Sequence, residues 1–461
     1  MKSMQRTSNE IIISRVLHAG YLIEHEGTLI LFDPIFENPF SFNCYAHPQV
    51  EFNYDQIKKL KLDAVFISHF HDDHCSLESL NYLNRHTPIY IFCRHPELLD
   101  WIREMGFTNV LSLEIKRDIL IKGFKITPWP ALDIEVDILF QIRVDNLNIL
   151  NVVDSWIDQK TIEELTKEGP WDLLMWPFQT MRELEVLCPS KAPPSSGEIP
   201  PECAEQIMRL NPANIIPSSC QFIHEEWSWY RNSFFPISYA GFKKQIQILL
   251  PGTKTLRMDP GSSISINFEK KLNNLPPLPW ITNKQKKLMD YHYNPNAVVP
   301  PTAEIAKFIS PLNESQKLMI FDFCKKDLLS RYESLPDTPD IYFKQPRAWV
   351  LQIFDEVGHA IEFFYHIEGE QISNTTLRPT TIHWLTEIPM SKLYSALSSG
   401  ESLTSLYIRI NDIFMGSEIE QELRDVDLLE DPLLRVLFNQ SFGTYQKSQL
   451  KLIKERQKKG G

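Results

Sequence analysis

Residues 65–75 read Val65-Phe-Ile-Ser-His-Phe-His-Asp-Asp-His-Cys75, an apolar run closed by three imidazoles and two carboxylates. Successive residues of a strand point to opposite faces, so His69 and His71 project the same way from its end. Asp73 and His74 fall on the turn that follows and reach a neighbouring position. One short segment thus predicts two adjacent cation sites, and imidazole nitrogen with carboxylate oxygen suits Zn, Fe or Mn. The bland alternative is a polar loop that happens to be rich in His. The spacing, directly behind a buried-type strand, weighs against it.

Around this segment the chain alternates β-type and helical patterns. Residues 11–15, 21–24 and 28–32 read as consecutive strands, with Gly27 at a hairpin turn. Helix over 55–60, strand over 64–67, helix over 77–84, strand over 89–93 and helix over 96–105 follow, the last opened by Pro96 and stopped by Gly106. Strands at 124–128, 136–144 and 147–153, a helix at 158–167, a Pro- and Ser-rich loop at 188–201, a helix at 202–210 and a strand at 214–217 complete two similar halves. That order predicts an α/β sandwich with helices outside two packed sheets. Prolines and lysines punctuate residues 276–301, read as a linker between a unit over 11–275 and a smaller α+β module over 302–461. In that module 350–354 and 361–366 read as paired strands, 406–410 as another, and 391–398 and 433–438 as helices.

A chain of 461 residues favours two domains, and 43% hydrophobic residues supply an ample core. A formal charge of −12 argues against a nucleic-acid partner. No apolar run approaches transmembrane length, and 11–13 is too short for a signal segment. The seven cysteines are scattered without a Cys-x-x-Cys pair, as in a cytoplasmic protein with reduced thiols.

The sequence His69-Phe-His71-Asp-Asp73-His74 closely resembles the His-x-His-x-Asp-His signature of the metallo-β-lactamase superfamily. The resemblance implies an αββα sandwich with a smaller C-terminal α+β module, and two divalent metal ions, Zn, Fe or Mn. Asp154, closing the strand Asn151-Val-Val-Asp154, is similar to the family's bridging carboxylate; as a bare sequence feature it reads equally as a helix N-cap. Asp33, in Leu31-Phe-Asp33-Pro, is expected to accept a ligand ring N–H or to be an ordinary strand-end turn. His18, in Leu17-His-Ala-Gly20, points into the site or is a satisfied core histidine. The family also places a His between the motif and the bridging Asp. No histidine lies between His95 and His224, and Asp133 falls at the aligned place, so it is the expected substitute ligand. A carboxylate there shifts preference from Zn towards Fe or Mn. His224 is the candidate for the last ligand, several residues later than the family pattern.

Longer stretches, Leu17-His-Ala-Gly20, Leu31-Phe-Asp-Pro34, Ile67 to His74, Glu135-Val-Asp137 to Asp154, and more weakly 406–410 and 430–438, resemble the CMP-N-acetylneuraminate hydroxylases. Those carry an iron–sulfur domain that this sequence lacks, so oxygenase chemistry would require an external electron-donor protein. Three readings follow. The first is a metal-dependent hydrolase acting on a small polar ester, lactone or phosphodiester, with a metal lowering the pKa of water and Asp72 or Asp73 moving a proton. The second is a non-haem diiron oxygenase acting on a sugar-nucleotide-like substrate. The third is a non-catalytic interaction module.

Overall fold

The computed structural model describes residues 10–179, 183–220, 222–285, 289–413, 419, 422–423, 426–439 and 442–460. Two sheets dominate the first 275 residues. The eight-stranded sheet runs in the spatial order Leu272–Leu275, Ser263–Asn267, Glu10–Arg15, Tyr21–His25, Thr28–Phe32, Ala64–Ile67, Ile89–Ile91 and Val110–Ser112. The seven-stranded sheet runs Lys254–Thr255, Asn214–Ser218, Leu173–Pro177, Leu147–Asn151, Ile138–Val144, Phe124–Pro130 and Ile119–Ile121.

Strand periodicity sorts the apolar residues into two cores. Ala64 and Phe66 face the other sheet, while Val65 and Ile67 face the helices. Across the gap Phe140 meets Phe32 and Phe66 at ring-centre distances of 5.2 and 5.9 Å. The helices Pro96–Glu104 and Gln159–Glu168 cover the outer faces with Leu98, Leu99 and Ile102, and with Ile162 and Leu165. Asp158 caps the second of these helices by accepting from the Lys160 and Thr161 amides. The result is the αββα sandwich of the metallo-β-lactamase fold.

Part of the 276–301 connection lies on this unit: Ile281–Asn283 pairs antiparallel with Val50–Phe52. The C-terminal module is built on a five-stranded sheet in the order Gln371–Thr375, Ala360–Glu368, Arg347–Phe354, Trp384–Pro389 and Arg409–Ile410. Its buried Trp349 and Trp384 find partners for their indole N–H groups in Thr386 Oγ1 and Asp431 Oδ2, at 2.9 and 2.7 Å. Its apolar residues merge with the outer core of the sandwich into one cluster. The last helix, Thr444–Gly460, returns to pack on Leu77–Leu80 and Pro96–Glu104. All seven cysteines are free thiols.

Candidate metal centre

The strand Ala64–Ile67 is wholly buried and runs parallel to its neighbours on both sides. Where it ends, the chain turns through 68–76 before the short helix Leu77–Leu80, capped by Ser76. The donors of this turn meet groups from the ends of strands in both sheets. Asp154 follows the strand Leu147–Asn151, and Asp137 precedes Ile138–Val144. His18, Asp33, Val153, Ser219 and Cys220 all have positive φ. Non-glycine residues adopt that conformation at a cost and cluster where a site needs it.

Two groups of donors converge. In one, His18, Asp73, His74 and Asp154 each place a ligand atom within 4.8 Å of the others; in the second, His69, His71 and Asp73 do the same. Asp73 is common to both. His74 Nε2 lies 3.0 Å from Asp154 Oδ2 and 3.6 Å from Asp73 Oδ1. His69 Nε2 lies 2.9 Å from His71 Nδ1 and 3.7 Å from Asp137 Oδ1. Nitrogens sharing one cation at about 2.1 Å sit roughly 3.0–3.4 Å apart. The oxygens Asp137 Oδ1 and Asp154 Oδ1 are buried without a hydrogen-bond partner. Buried carboxylate oxygens in that state are costly, and cations would satisfy them. The donor set therefore fits a pair of divalent ions.

A hydrogen-bond relay behind the imidazoles fixes their tautomers. His74 Nδ1 faces Asp33 Oδ2 at 3.2 Å. His69 Nδ1 faces Ser68 Oγ at 2.9 Å, and that hydroxyl donates to Asp33 Oδ2 at 2.8 Å. Asp33 Oδ1 accepts the Ser68 amide at 2.7 Å. One carboxylate thus draws the proton of His74 directly, and that of His69 through Ser68, to Nδ1. Both Nε2 lone pairs are left for the centre.

His18 is oriented the opposite way. The Cys220 amide donates to its Nδ1 at 3.1 Å, so the ring holds its proton on Nε2, 3.1 Å from Asp73 Oδ2. It is set to donate to Asp73 rather than to coordinate. The fully buried Arg15 ties this turn to the opposite sheet, donating to the carbonyls of Pro217, Ser219 and His18.

Burial and crowding shape the titration of these groups. Burial, then the charge of His74, pushes His69 down to about 4. Burial opposes protonation of His74 and His18, but the neighbouring carboxylates prevail and raise both. Burial would raise Asp73 and Asp154; the charge of His74 outweighs it and holds both below the usual carboxylate range. Burial, then Asp154, raises Asp137 to about 6, and burial, then Asp73, raises Asp72 to about 7.

Two sequence candidates are not brought to the centre. Asp133 is exposed, and its carboxylate and carbonyl accept from the amides of Glu135, Val136 and Asp137. It shapes the turn that delivers Asp137, four residues later. His224 is buried among Phe222, Tyr230 and Phe234, at ring-centre distances of 5.5, 5.0 and 5.1 Å, and burial lowers its pKa to about 3. It lines the cavity above the centre but belongs to neither donor group. Asp72 also lines the cavity, outside both groups, with Oδ2 unpartnered. Sequence reasoning did not single out Asp137, which lies outside both groups but 3.7 Å from His69 Nε2, and left His18 undecided. The signal for both was an Asp and a His beside a turn, and the turn did not fix their reach.

A two-sheet sandwich gathering imidazoles and carboxylates at its strand ends defines a class, the metal-binding αββα proteins. Residues 13–219 match the family model described as "Beta-lactamase superfamily domain", so over this stretch the chain is similar to that superfamily. No curated protein matches the chain. Among solved structures it is similar to Igni18, a metallo hydrolase from Ignicoccus hospitalis, at 18% identity over 56% of this chain and 99% of that one, with TM-score 0.41. It is similar to CmlA, a diiron beta-hydroxylase from Streptomyces venezuelae, at 16% identity over 57% of this chain and 55% of that one, with TM-score 0.39. An isothiocyanate hydrolase from Delia radicum gut bacteria shares 15% identity over 55% of this chain and 98% of its own, with TM-score 0.40.

Proposed function

We propose that this chain is a two-metal hydrolase. The observation that carries the reading is the position of Asp73 in both donor groups, which would let two cations lie side by side against one cavity. His69, His71 and Asp137 would hold one ion, and His74 and Asp154 the other, with Asp73 in reach of both. Bound there, the cations would polarise a substrate oxygen and make water acidic enough to attack near neutral pH.

The chain's own residues do the rest. Asp33 and Ser68 hold the imidazoles in the ligating tautomer, and His18 steadies Asp73. Asp72 Oδ2, on the cavity wall without a partner, accepts or returns a proton. The cavity encloses about 710 Å³, room for a mid-sized molecule. Trp176, Phe222 and Phe235 form one wall, and Leu403 with Phe438 of the C-terminal module another. Among the described lining residues none is Lys or Arg. The chemistry supports an ester, amide or lactone with an apolar body over a nucleotide, whose several phosphate charges would meet carboxylates away from the cations.

Asp137 favours a second reading. Three His and three carboxylates form a harder donor set than one richer in imidazole, and iron or manganese suits it. In that reading the centre is a non-haem diiron oxygenase served by an external electron donor. Metal analysis of protein from metal-replete cells, with anaerobic turnover of matched esters, lactones, phosphodiesters and sugar nucleotides, tests both. Anaerobic hydrolysis that a chelator abolishes is the expected result. Two irons, and turnover only with O₂ and a reductant, would replace the first reading by the second.

A further inference from the structure

The metal-binding turn is held from outside its own domain. Gln446, on the C-terminal helix Thr444–Gly460, is 2% exposed. Its side-chain amide donates to the carbonyl of Phe70 at 2.7 Å and to that of Cys75 at 3.0 Å. Those carbonyls bracket His71, Asp72, Asp73 and His74. Both partners are pure acceptors, so the amide group can face them only with its NH₂. One turn further along the same face, Gln449, 6% exposed, accepts the Leu77 amide at 2.7 Å and donates to Ser76 Oγ at 3.1 Å. Ser76 Oγ in turn donates to Glu37.

Aromatic packing fixes the approach of the helix. Phe442 stacks on His95 at 3.8 Å and meets Phe70 edge-on at 5.0 Å. Gly443 lies so close to Trp101 that an added Cβ would sit 2.3 Å from its ring. Inside the turn only His74 and Cys75 make backbone bonds, both to the His71 carbonyl, at 3.1 and 2.8 Å. A ligand loop with so little internal bonding takes its geometry from what surrounds it.

We infer that Gln446, backed by Gln449, is a positioning residue for the metal centre: the C-terminal helix sets the spacing of His71, Asp73 and His74, and so the affinity and geometry of the bound ions. This rests on the two-metal reading above. The other end of the helix supplies a control, since Lys454 and Arg456 pair with Glu104 and Glu78 outside residues 68–76, in solvent-facing ion pairs that add little to docking.

The test is cobalt loading of the full chain, wild type against Gln446→Leu, Gln449→Leu and the Lys454→Ala/Arg456→Ala pair. Co(II) affinity is read by chelator competition and ligand geometry by the visible absorption spectrum. Gln446→Leu is expected to weaken Co(II) binding about 10- to 100-fold, the range typical of groups that orient ligands, and to change the band positions. Gln449→Leu should show a smaller loss in the same direction, and the surface pair should bind as wild type does. If Gln446→Leu does not fold, Gln449→Leu carries the comparison alone, and wild-type affinity and spectrum in it would overturn the inference. Folded Gln446→Leu with wild-type affinity and spectrum would overturn it as well, leaving the two-metal reading intact. Wild-type protein that takes up no Co(II) would sink both.

Discussion

Replacing Asp33 by Asn probes how far the centre depends on a carboxylate that touches no cation. Asp33 is 1% exposed and sits at φ 38°, a conformation Asn tolerates better than most residues, so the backbone should stay in place. Asn Oδ1 can keep the Ser68 amide, now at 2.7 Å. The NH₂ group then replaces Oδ2, which accepts from Ser68 Oγ at 2.8 Å and from His74 Nδ1 at 3.2 Å. Donor would face donor. His74 relieves the conflict by moving its proton to Nε2, the atom 3.0 Å from Asp154 Oδ2, and so loses the lone pair aimed at the centre. Flipping the amide only transfers the conflict to the Ser68 N–H. Both bonds to Oδ2 are lost; the charge-assisted one from His74 alone is worth about 1.5–3 kcal/mol, which corresponds to roughly 10- to 150-fold in affinity at the His74 ion. That agrees with the 10- to 100-fold typical of such outer carboxylates. Zinc affinity measured by competition with a chromophoric chelator should fall by that factor at the His74 ion and, because Ser68 no longer holds the His69 proton on Nδ1, at the other ion as well. Binding within twofold of wild type at both ions would refute the assignment of Asp33 as the group that sets the His74 tautomer.

Three further predictions concern other parts of the site. Asp137→Ala should lower metal content from two ions to one, whereas Asp133→Ala should leave it unchanged; elemental analysis decides, and the reverse pattern would restore Asp133 as the donor. Gly20→Ala would place a Cβ 2.6 Å from the Asp33 carbonyl and 3.0 Å from that of Leu17; with backbone on both sides, a cost of about 1–3 kcal/mol is expected, seen as a lower urea midpoint together with weaker metal binding. His224, held near pKa 3 by burial against an ordinary value of 6.5, contributes stability that is complete above pH 6.5 and is lost as pH falls towards 3, because the unfolded chain takes the proton first. That is about 2 kcal/mol lost by pH 5, and His224→Phe should flatten the dependence of the urea midpoint on pH between 6.5 and 4; an unchanged slope would mean that the ring is not buried neutral.

The parts of the centre that the sequence displays are those whose geometry is local. His69, His71, Asp73 and His74 stand within six residues, and strand alternation followed by a turn is enough to place them. Asp33 and Asp154 are legible because each closes an apolar strand, and in a sandwich such ends lie at one rim. Asp137 is harder. The segment leading to it carries Asp133, Glu135 and Asp137 in sequence, and which of them reaches inward depends on a turn closed by the Asp133 carbonyl on the amides of Val136 and Asp137. No periodicity marks that closure. His224 shows the converse. It has a ligand's chemistry and roughly a ligand's place in the chain, yet the rings of Phe222, Tyr230 and Phe234 pack it into a wall.

The C-terminal helix lies furthest from what a sequence can reveal. Gln446 is 376 residues from Phe70, and a glutamine on an amphipathic helix ordinarily faces water. Its role follows only once the helix has folded back and the turn at 70–75 has presented two carbonyls without partners of their own. A buried carbonyl pair must be satisfied from somewhere. The sandwich offers nothing else there among the described residues, so the domain that carries the ligands relies for their spacing on the end of the chain. A metal centre assembled in this way is complete only when the last helix has docked. Its affinity for metal and the docking of that helix are therefore thermodynamically linked, each strengthening the other by the same free energy.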